Sequence, residues 1–422
     1  MLIQRLGRPG VVVERKWRVE PYRRGSLHLD SAEEIDGRDV AVKIVATDKY
    51  GTPLGVICER TMYWRGPDGE VSPHRDEYTY NMNSGPYWWE RTDGHNTVGA
   101  TATSKEWYFG EGCTAFGFDT WMLLLNPNQE TAHVTLRCMT DWGIETIGPI
   151  GLQPESRFSV SIDEHLPEAN VSIKVESDIG IIAERSMYWD EMRGGHNTMG
   201  VTAPSLQWLF PEGTTAWGFE EWVLVQNPND ETAELELLLC GKDGPLEKLD
   251  LVVEPHRRKT VHLNELAPGM DVSTEVTSTN GVPVICERSM YWETGGHRAG
   301  HNSMGAPDAA RNWYLAEGED LACLDIESYL LIMNPTDEPV TVELYFRGPS
   351  GIISWEVIPN IKPHSRYTLK TKDYTADSVF CVEANVADEG KEKRVAIERT
   401  IYWCRKFGGH VSTGYAPPAG ER

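Results

Sequence analysis

The chain has 422 residues, of which 25% are charged and 40% hydrophobic, and its formal net charge at pH 7 is -24. Such a length is too great for one hydrophobic core and predicts three or four domains. The negative charge excludes nucleic acid as a partner, and because the sequence lacks an apolar run of about 18 residues, it predicts no direct membrane insertion.

Four copies of one hexapeptide reveal an internal repeat. The first reads Glu59-Arg60-Thr61-Met62-Tyr63-Trp64, and the others begin at Glu184, Glu287 and Glu398. The period of about 100 residues exceeds the roughly 40–50 residues of a propeller blade, which disfavours a propeller. Short Val-, Ile- and Thr-rich runs between frequent turns predict an all-β fold of tandem immunoglobulin-like β-sandwich modules of about 100 residues.

The first module, residues 1–106, is predicted to be incomplete. Pro21 aligns with Pro154 without a gap, so the strands that open the later copies have no counterpart in it. Either the true start lies upstream or another segment completes this module. Its first nine residues, Met1 to Pro9, lack the apolar stretch of a signal peptide.

The first module also carries an aromatic insertion at residues 65–93. The candidate ligand-binding residues in it are Tyr78, Tyr80, Tyr87, Trp88 and Trp89. A flat aromatic surface flanked by polar side chains suits stacking against sugar rings. The alternative is that these rings cover the exposed core of an incomplete module.

The later modules are predicted at residues 107–206, 207–312 and 313–422. Each opens with a Trp-x-x-x-Glu-Gly segment and continues into an apolar strand that ends at Asn-Pro. A strand that is apolar on both faces is expected in the centre of a sheet, and proline ends it because proline cannot donate to the ladder. An alternating third strand follows. A fourth strand carries Pro154 or its counterpart near its middle, and a fifth leads through a turn into the hexapeptide.

The hexapeptide is predicted to be a strand with two chemically different faces. Alternation places Arg185 and Trp189 on one face and Glu184 and Tyr188 on the other, so an adjacent Glu and Arg do not pair with each other. We expect each charge to be buried and to meet a partner from another strand or module. The alternative is a shallow ligand pocket in each copy. Its candidate residues are Arg185, Trp189, His196, Arg288, Trp292 and His301.

Catalysis is not expected from this pattern. Enzymes rarely need four equal sites, and we expect no second carboxylate that recurs at a fixed place for acid–base chemistry. A histidine follows glycine in every copy, at positions 95, 196, 301 and 410. One histidine per module is too few ligands for zinc, so we predict turn or loop histidines, no metal and no cofactor.

The cysteines do not form a recognisable disulfide framework. Cys58 and Cys286 occupy one repeat position, directly before the hexapeptide glutamate, at which the second copy has Ala183. A cysteine that alternates with alanine is predicted to be a small core residue. The pairing of the remaining cysteines stays open.

These patterns resemble tandem β-sandwich repeat domains of bacterial secreted and cell-surface proteins, and more distantly the sensory-rhodopsin transducer family. The resemblance lies in the Trp-x-x-x-Glu-Gly opening, the Asn-Pro strand end, the step Pro255-His256-Arg257, the strand Val282 to Arg288, and the closing His301-Asn302-Ser303-Met304. It implies a compact β-sandwich, an extracellular or cell-surface location, and small-molecule or sugar binding. The transducers have Gln-His where this chain has Glu-Arg.

The sequence therefore predicts a non-enzymatic repeat array of a bacterial surface or secreted protein. Such an array acts as a structural spacer or as a binding and adhesion module. The alternative is a carbohydrate-binding array in the accessory region of a cell-wall or polysaccharide-acting protein. The expected partner is a polysaccharide or another surface protein.

Overall fold

The computed structural model describes residues 2–6, 14–29, 39–64, 93–375, 377–390 and 392–418. Within these ranges the chain forms 28 β-strands and one α-helix of four residues, Lys372–Thr375. The all-β prediction is therefore confirmed. None of the described helices has the length and apolar character needed to cross a membrane.

The first repeat contributes five described strands in two small antiparallel sheets. Its strands are β1 (Leu2–Leu6), β2 (Glu14–Lys16), β3 (Ala41–Val45), β4 (Glu59–Trp64) and β5 (Asp93–Val98). One sheet has the order β2-β1-β3, and β4, the hexapeptide strand, pairs with β5. The five aromatic candidates of the insertion lie outside the described residues, so their sugar-binding role stays a prediction.

The second repeat forms two four-stranded sheets that share one long strand. Its strands are β6 (Ser104–Phe109), β7 (Phe118–Asn126), β8 (Ala132–Met139), β9 (Ile144–Leu152), β10 (Ser156–Ser161), β11 (Ser172–Trp189) and β12 (Gly194–Met199). The opening sheet has the order β6-β11-β8-β9, and the hexapeptide sheet has the order β10-β7-β11-β12. The turn predicted before the hexapeptide is absent here, because the 18 residues of β11 pass through both sheets.

The third and fourth repeats have the same two sheets, and in them the shared strand is divided. The third repeat contains β13 (Gln207–Phe210), β14 (Phe219–Asn227), β15 (Ala233–Gly241), β16 (Gly244–Val253), β17 (Arg257–His262), β18 (Ser273–Ser278), β19 (Ile285–Thr294) and β20 (His297–Met304). The fourth contains β21 (Asn312–Leu315), β22 (Ile326–Asn334), β23 (Val340–Gly348), β24 (Gly351–Ile361), β25 (Ser365–Lys370), β26 (Cys381–Val386), β27 (Ala396–Trp403) and β28 (Gly408–Thr413). Their opening sheets are β13-β18-β15-β16 and β21-β26-β23-β24, and their hexapeptide sheets are β17-β14-β19-β20 and β25-β22-β27-β28.

The apolar strands β7, β14 and β22 end at buried asparagines, as the Asn-Pro pattern predicts. Each strand lies in the middle of its hexapeptide sheet. The Nδ2 of Asn126 donates to the carbonyls of Glu130, Leu152 and Gln153 at 2.7, 3.0 and 3.1 Å. Asn227 and Asn334 make the same three bonds. The side chain thus satisfies carbonyls around the point where proline stops the ladder.

The predicted fourth strand is two strands, with the proline in the turn between them. Pro154 separates β9 from β10, and the next residue, Glu155, has a φ of 47°. Proline has a fixed φ and no N–H, so it suits a turn better than the middle of a paired strand. After the turn, β10 joins the other sheet, where Arg157 reaches Asp39 of the preceding repeat at 2.9 Å.

The four closing strands, β5, β12, β20 and β28, meet around one axis. Strand β12 packs against β5 and β20, and β28 packs against the same two strands from the other side. The array therefore closes into a ring in which the fourth repeat contacts the first. Three successive residues of each strand line one cavity at the centre: Asn96–Val98, Asn197–Met199, Asn302–Met304 and Val411–Thr413.

Strand pairing predicts that the first repeat opens before the others. Among the described residues β4 pairs with β5 alone, whereas its counterpart β27 is paired on both edges, with β22 and β28. Because an unpaired edge exposes backbone amides, we expect the amides of β4 to exchange roughly tenfold or more faster than those of β27. Hydrogen exchange with mass spectrometry measures this, and equal protection would mean that another segment pairs with β4.

Candidate functional site at the repeat junctions

The recurring polar residues lie at the four contacts between neighbouring repeats, which we call junctions 1/2, 2/3, 3/4 and 4/1. Each hexapeptide strand has one face toward the preceding repeat and one toward the following repeat. The candidate residues Arg185, Trp189, Arg288 and Trp292 are buried on the second face, and His196 and His301 are buried on the adjacent closing strands. The predicted alternation is confirmed, and all six side chains are buried inside the junctions.

An arginine of each repeat pairs with the hexapeptide glutamate of the next repeat. Arg60 pairs with Glu184 at 2.9 Å, and Arg185 with Glu287 at 2.9 Å. The series continues around the ring, with Arg288 3.5 Å from Glu398 and Arg399 3.3 Å from Glu59. The prediction that these charges pair between modules is confirmed, and the last pair joins the fourth repeat to the first.

A second glutamate, which sequence reasoning missed, completes the cluster at junction 2/3. It is Glu111 of the Trp-x-x-x-Glu-Gly segment, and its carboxylate lies 2.9 Å from Nη2 of Arg185 and 3.5 Å from Nε2 of His196. The next repeat adds three donors to the same carboxylate: the hydroxyls of Ser289 and Tyr291 at 2.5 and 2.9 Å and the amide of Asn302 at 2.8 Å.

Junctions 3/4 and 4/1 contain the same arrangement. Glu212 contacts Arg288 at 3.2 Å and accepts from the hydroxyl of Tyr402 at 3.1 Å. Glu317 accepts from Thr61 and from Asn96, both at 2.8 Å. The expectation that no second carboxylate recurs at a fixed place is therefore wrong. The signal was present, because Trp-x-x-x-Glu-Gly fixes the position of this glutamate in three copies.

The four glycine-following histidines lie in strands, which corrects the prediction of turn or loop positions. His95, His196, His301 and His410 lie within β5, β12, β20 and β28 and are nearly inaccessible to solvent. Three of them face a tyrosine hydroxyl of the next repeat at 3.1 to 3.2 Å. No group of three or more potential metal ligands occurs in the described part of the chain.

Burial and pairing set the protonation states of these clusters. Burial alone would raise the pKa of Glu111, but His196, Arg185 and the hydroxyl donors outweigh it and hold that pKa below its ordinary value. Burial lowers the pKa of His196 to about 4, against the opposing effect of Glu111. The cluster at junction 2/3 therefore holds an ionised Glu111 and a neutral His196 near pH 7.

Three of the four hexapeptide tryptophans bond one repeat to the next. The indole Nε1 of Trp64 donates to the Met192 carbonyl at 3.0 Å, and that of Trp189 donates to the Arg298 carbonyl at 2.8 Å. Trp292 donates in the same way to Lys406 at 2.6 Å. These tryptophans are structural, since each ring is packed in a junction and its one polar atom is used.

A glutamate, a histidine and a tyrosine within 3.5 Å would suit proton transfer in an accessible cleft. Here the Glu111 carboxylate, the His196 ring and the Tyr291 ring lie inside the junction, and four donors already occupy the carboxylate. A substrate could reach these atoms only if two repeats separated. The geometry supports holding repeats together better than it supports turnover.

Junction 3/4 contains one further buried acid, Glu221 of β14. Neither carboxyl oxygen has a hydrogen-bond partner among the described residues, and any side chain at Gly213 would clash with the carboxyl. Burial raises the pKa of Glu221 to about 8, although Arg288 and Arg366 act in the opposite direction. Glu221 is therefore mostly protonated at pH 7.

Exposed aromatic rings lie on loops outside the junctions. Phe116 and Trp217 are 80% and 83% exposed, at equivalent places in the second and third repeats. Both have positive φ angles, 57° and 60°, which are uncommon for bulky residues. The surrounding loops thus hold two apolar rings toward solvent at a cost in backbone strain.

All eight cysteines are free thiols in the structure. Cys286 is fully buried, as predicted for a small core residue, and Cys58 is partly buried.

Comparisons with known proteins identify no activity. A family of unknown function, DUF5719, matches residues 186–286. No curated protein matches the chain. The crystal structure of Thermotoga maritima 1070 is 21% identical, with 24% of this chain and 94% of that chain covered and a TM-score of 0.23. The crystal structure of Streptomyces avermitilis alpha-L-rhamnosidase complexed with L-rhamnose is 10% identical, with 77% of this chain and 38% of that chain covered and a TM-score of 0.17. Both structural similarities are too low to show a function.

Removing one junction arginine should strongly destabilise the ring. Arg288→Ala leaves Glu212 and Glu398 buried without their cation, and breaking a buried pair in this way costs about 3–5 kcal/mol. We expect a clear fall in melting temperature by calorimetry. Arg298→Ala, which removes an exposed arginine from the neighbouring strand β20, is the control and should melt like the wild type. Equal melting of both variants would contradict a structural role for Arg288.

Glu221→Gln should stabilise the protein, and more so as the pH rises. The carboxyl ionises near 4.5 when unfolded and near 8 when folded, so ionisation favours the unfolded chain across this interval. Glutamine removes this effect, which corresponds to about 3 kcal/mol between pH 5 and pH 7.5. Melting temperatures at the two pH values test the prediction, with the exposed neighbour Glu220→Gln as the control. A difference that is the same at both pH values would refute it.

Proposed function

We propose that this chain is a non-enzymatic binding scaffold of a bacterial surface or secreted protein. Its immunoglobulin-like β-sandwich modules would be held in a closed ring. The observation that carries the proposal is that the recurring Glu, Arg, His and Tyr side chains are buried and bonded to one another between repeats. Groups that hold a framework together in this way leave recognition to the loops around it.

The ring favours a binding or adhesion module over a spacer. A spacer separates what is attached to its two ends, and so it benefits from repeats arranged end to end. In this chain Arg399 of the fourth repeat pairs with Glu59 of the first, which brings the two ends of the array together. A closed ring instead presents loops of several similar modules at once, an arrangement that suits multivalent attachment.

Carbohydrate binding is the alternative, and one specific observation favours it. Phe116 and Trp217 project into solvent from equivalent loops, and an exposed aromatic ring stacks well on the apolar face of a sugar. A polysaccharide could contact both repeats through these rings. Another surface protein is the second candidate partner. An extracellular or cell-surface location remains part of the proposal and follows from the family resemblance.

The binding surface can be tested by retention on insoluble cell-wall polysaccharide. We expect Phe116→Ala and Trp217→Ala to reduce retention without lowering the melting temperature, because both rings are exposed. Trp355→Ala, which removes an exposed tryptophan from β24, is the matched control and should be retained like the wild type. Equal retention of all three variants would exclude these loops as the sugar-binding surface.

The same incubation distinguishes a scaffold from an enzyme. A scaffold releases no new reducing ends from the polysaccharide, and Glu111→Gln lowers its stability without changing retention. Release of reducing ends by the wild type and its loss in Glu111→Gln would overturn the non-enzymatic proposal.

A further inference from the structure

In the part of the chain that the structure describes, junction 1/2 lacks one group that the other three junctions share, the carboxylate of the Trp-x-x-x-Glu-Gly segment. It has the donors of junction 2/3 in the same places: Arg60 and His95 from the first repeat, and Ser186, Tyr188 and Asn197 from the second. The strand register is also the same, since Met62 lies opposite His95 and Met187 lies opposite His196. Among the described residues, however, no carboxylate occupies the place that Glu111 holds at junction 2/3.

The side chains at junction 1/2 have rearranged around that place. At junction 2/3, Nη2 of Arg185 binds Glu111, whose carboxylate also accepts from the Asn302 amide. At junction 1/2, Nη2 of Arg60 binds the Asn197 side-chain oxygen at 2.9 Å. A neutral amide oxygen has therefore taken the role of an anion, while Nδ2 of Asn197 still donates to the Ser186 hydroxyl at 3.1 Å, as Nδ2 of Asn302 does to Ser289.

Two further donors at junction 1/2 are unused. The hydroxyls of Tyr291, Tyr402 and Tyr63 each bond to a glutamate and a histidine at the other junctions. Tyr188 makes no hydrogen bond through its hydroxyl to the described residues, and neither does Nε2 of His95. The guanidinium of Arg60 pairs with Glu184, so the site combines one engaged cation with free neutral donors.

One member of the site, Arg60, is partly exposed to solvent. The Arg60 side chain is 32% exposed, whereas the side chains of Arg185, Arg288 and Arg399 are fully buried. His95, Ser186 and Asn197 remain buried beneath it, so a ligand that enters past Arg60 meets donors already held in place.

We propose that junction 1/2 is a binding site for a carboxylate, which takes the position of the recurring glutamate. Arg60 supplies charge, and Ser186, Tyr188 and Asn197 donate hydrogen bonds, as their counterparts do to Glu111. The carboxylate comes from a small organic acid or from the glutamate of a Trp-x-x-x-Glu-Gly strand. A strand suits this place, because one edge of β3 is unpaired among the described residues. β3 pairs with β1 on its other edge. In the second repeat, the edge that corresponds to the unpaired one belongs to β11 and pairs with β6.

Two probes distinguish the sources. The first is acetate, and the second is a synthetic peptide with the sequence of residues 206–215, which contains Trp208 and Glu212. The control for the second probe is the same peptide with Glu212→Gln. We expect the glutamate peptide to bind about tenfold or more tightly than the glutamine peptide, because hydrogen bonds to an ionised acceptor are about twice as strong as those to a neutral one. Acetate binding without peptide binding would assign the site to a small acid.

The readout in the unchanged protein is the titration of His95, followed by NMR of its imidazole. A bound carboxylate should raise the pKa of His95, which burial and Arg60 now hold well below its ordinary value. The variant Arg60→Gln should weaken binding about tenfold or more. Arg18→Ala, an exposed change in the same repeat, should leave binding unchanged. The proposal is wrong if neither acetate nor the glutamate peptide shifts His95, or if both peptides bind equally.

Discussion

The buried guanidinium between neighbouring repeats is the interaction on which the rest of the structure depends. Arg185 lies between Glu111 of its own repeat and Glu287 of the next, and all three side chains are shielded from water. A repeat taken alone would keep the arginine and one glutamate but lose the other. Because an unpaired buried charge is far more costly than a paired one, each repeat depends on its neighbour. The ring should therefore unfold with more cooperativity than a string of independent modules.

The geometry of the hexapeptide strand makes the arginine-to-glutamate pairing run in the same direction at every junction of the ring. Alternate residues of the hexapeptide face opposite ways, so one strand can contact two neighbours at once. Glu287 and Tyr291 reach back to the second repeat, while Arg288 and Trp292 reach forward to the fourth. A shift of one residue in the register would exchange the two faces. The closing strand beside each hexapeptide fixes that register and supplies the histidine.

Local patterns were sufficient to predict the elements but insufficient to predict the ring. The apolar run before Asn227 and the alternation in the hexapeptide each depend on neighbouring residues, and the structure contains both features. The closing contact between Arg399 and Glu59 joins residues 340 positions apart, and no periodicity within one repeat specifies the angle between repeats. The same reason explains why Glu111 was missed as a site residue. Its role becomes visible once two repeats are placed together.

Covalent fusion of the repeats allows the junctions to diverge, which identical subunits in a symmetric ring could not do. The closing-strand asparagine is Asn302 at junction 2/3, but its counterpart at junction 3/4 is Val411, which cannot donate to Glu212. At that junction the hydroxyl of Tyr402 and the guanidinium of Arg288 remain as donors to Glu212.

At junction 3/4 the hexapeptide glutamate, Glu398, has an additional hydrogen-bond donor, and the junction contains one further buried acid, Glu221. Ser303 donates to Glu398 and contacts the hydroxyl of Thr413 at 2.7 Å, a bridge between two closing strands. Glu221 lies in the same region and remains mostly protonated at pH 7, so it adds little negative charge to that of the two glutamates that Arg288 contacts. Each junction therefore reaches its own balance of charge and hydrogen bonds. A junction that has its donors but no glutamate is then a place where the same chemistry can be used for binding.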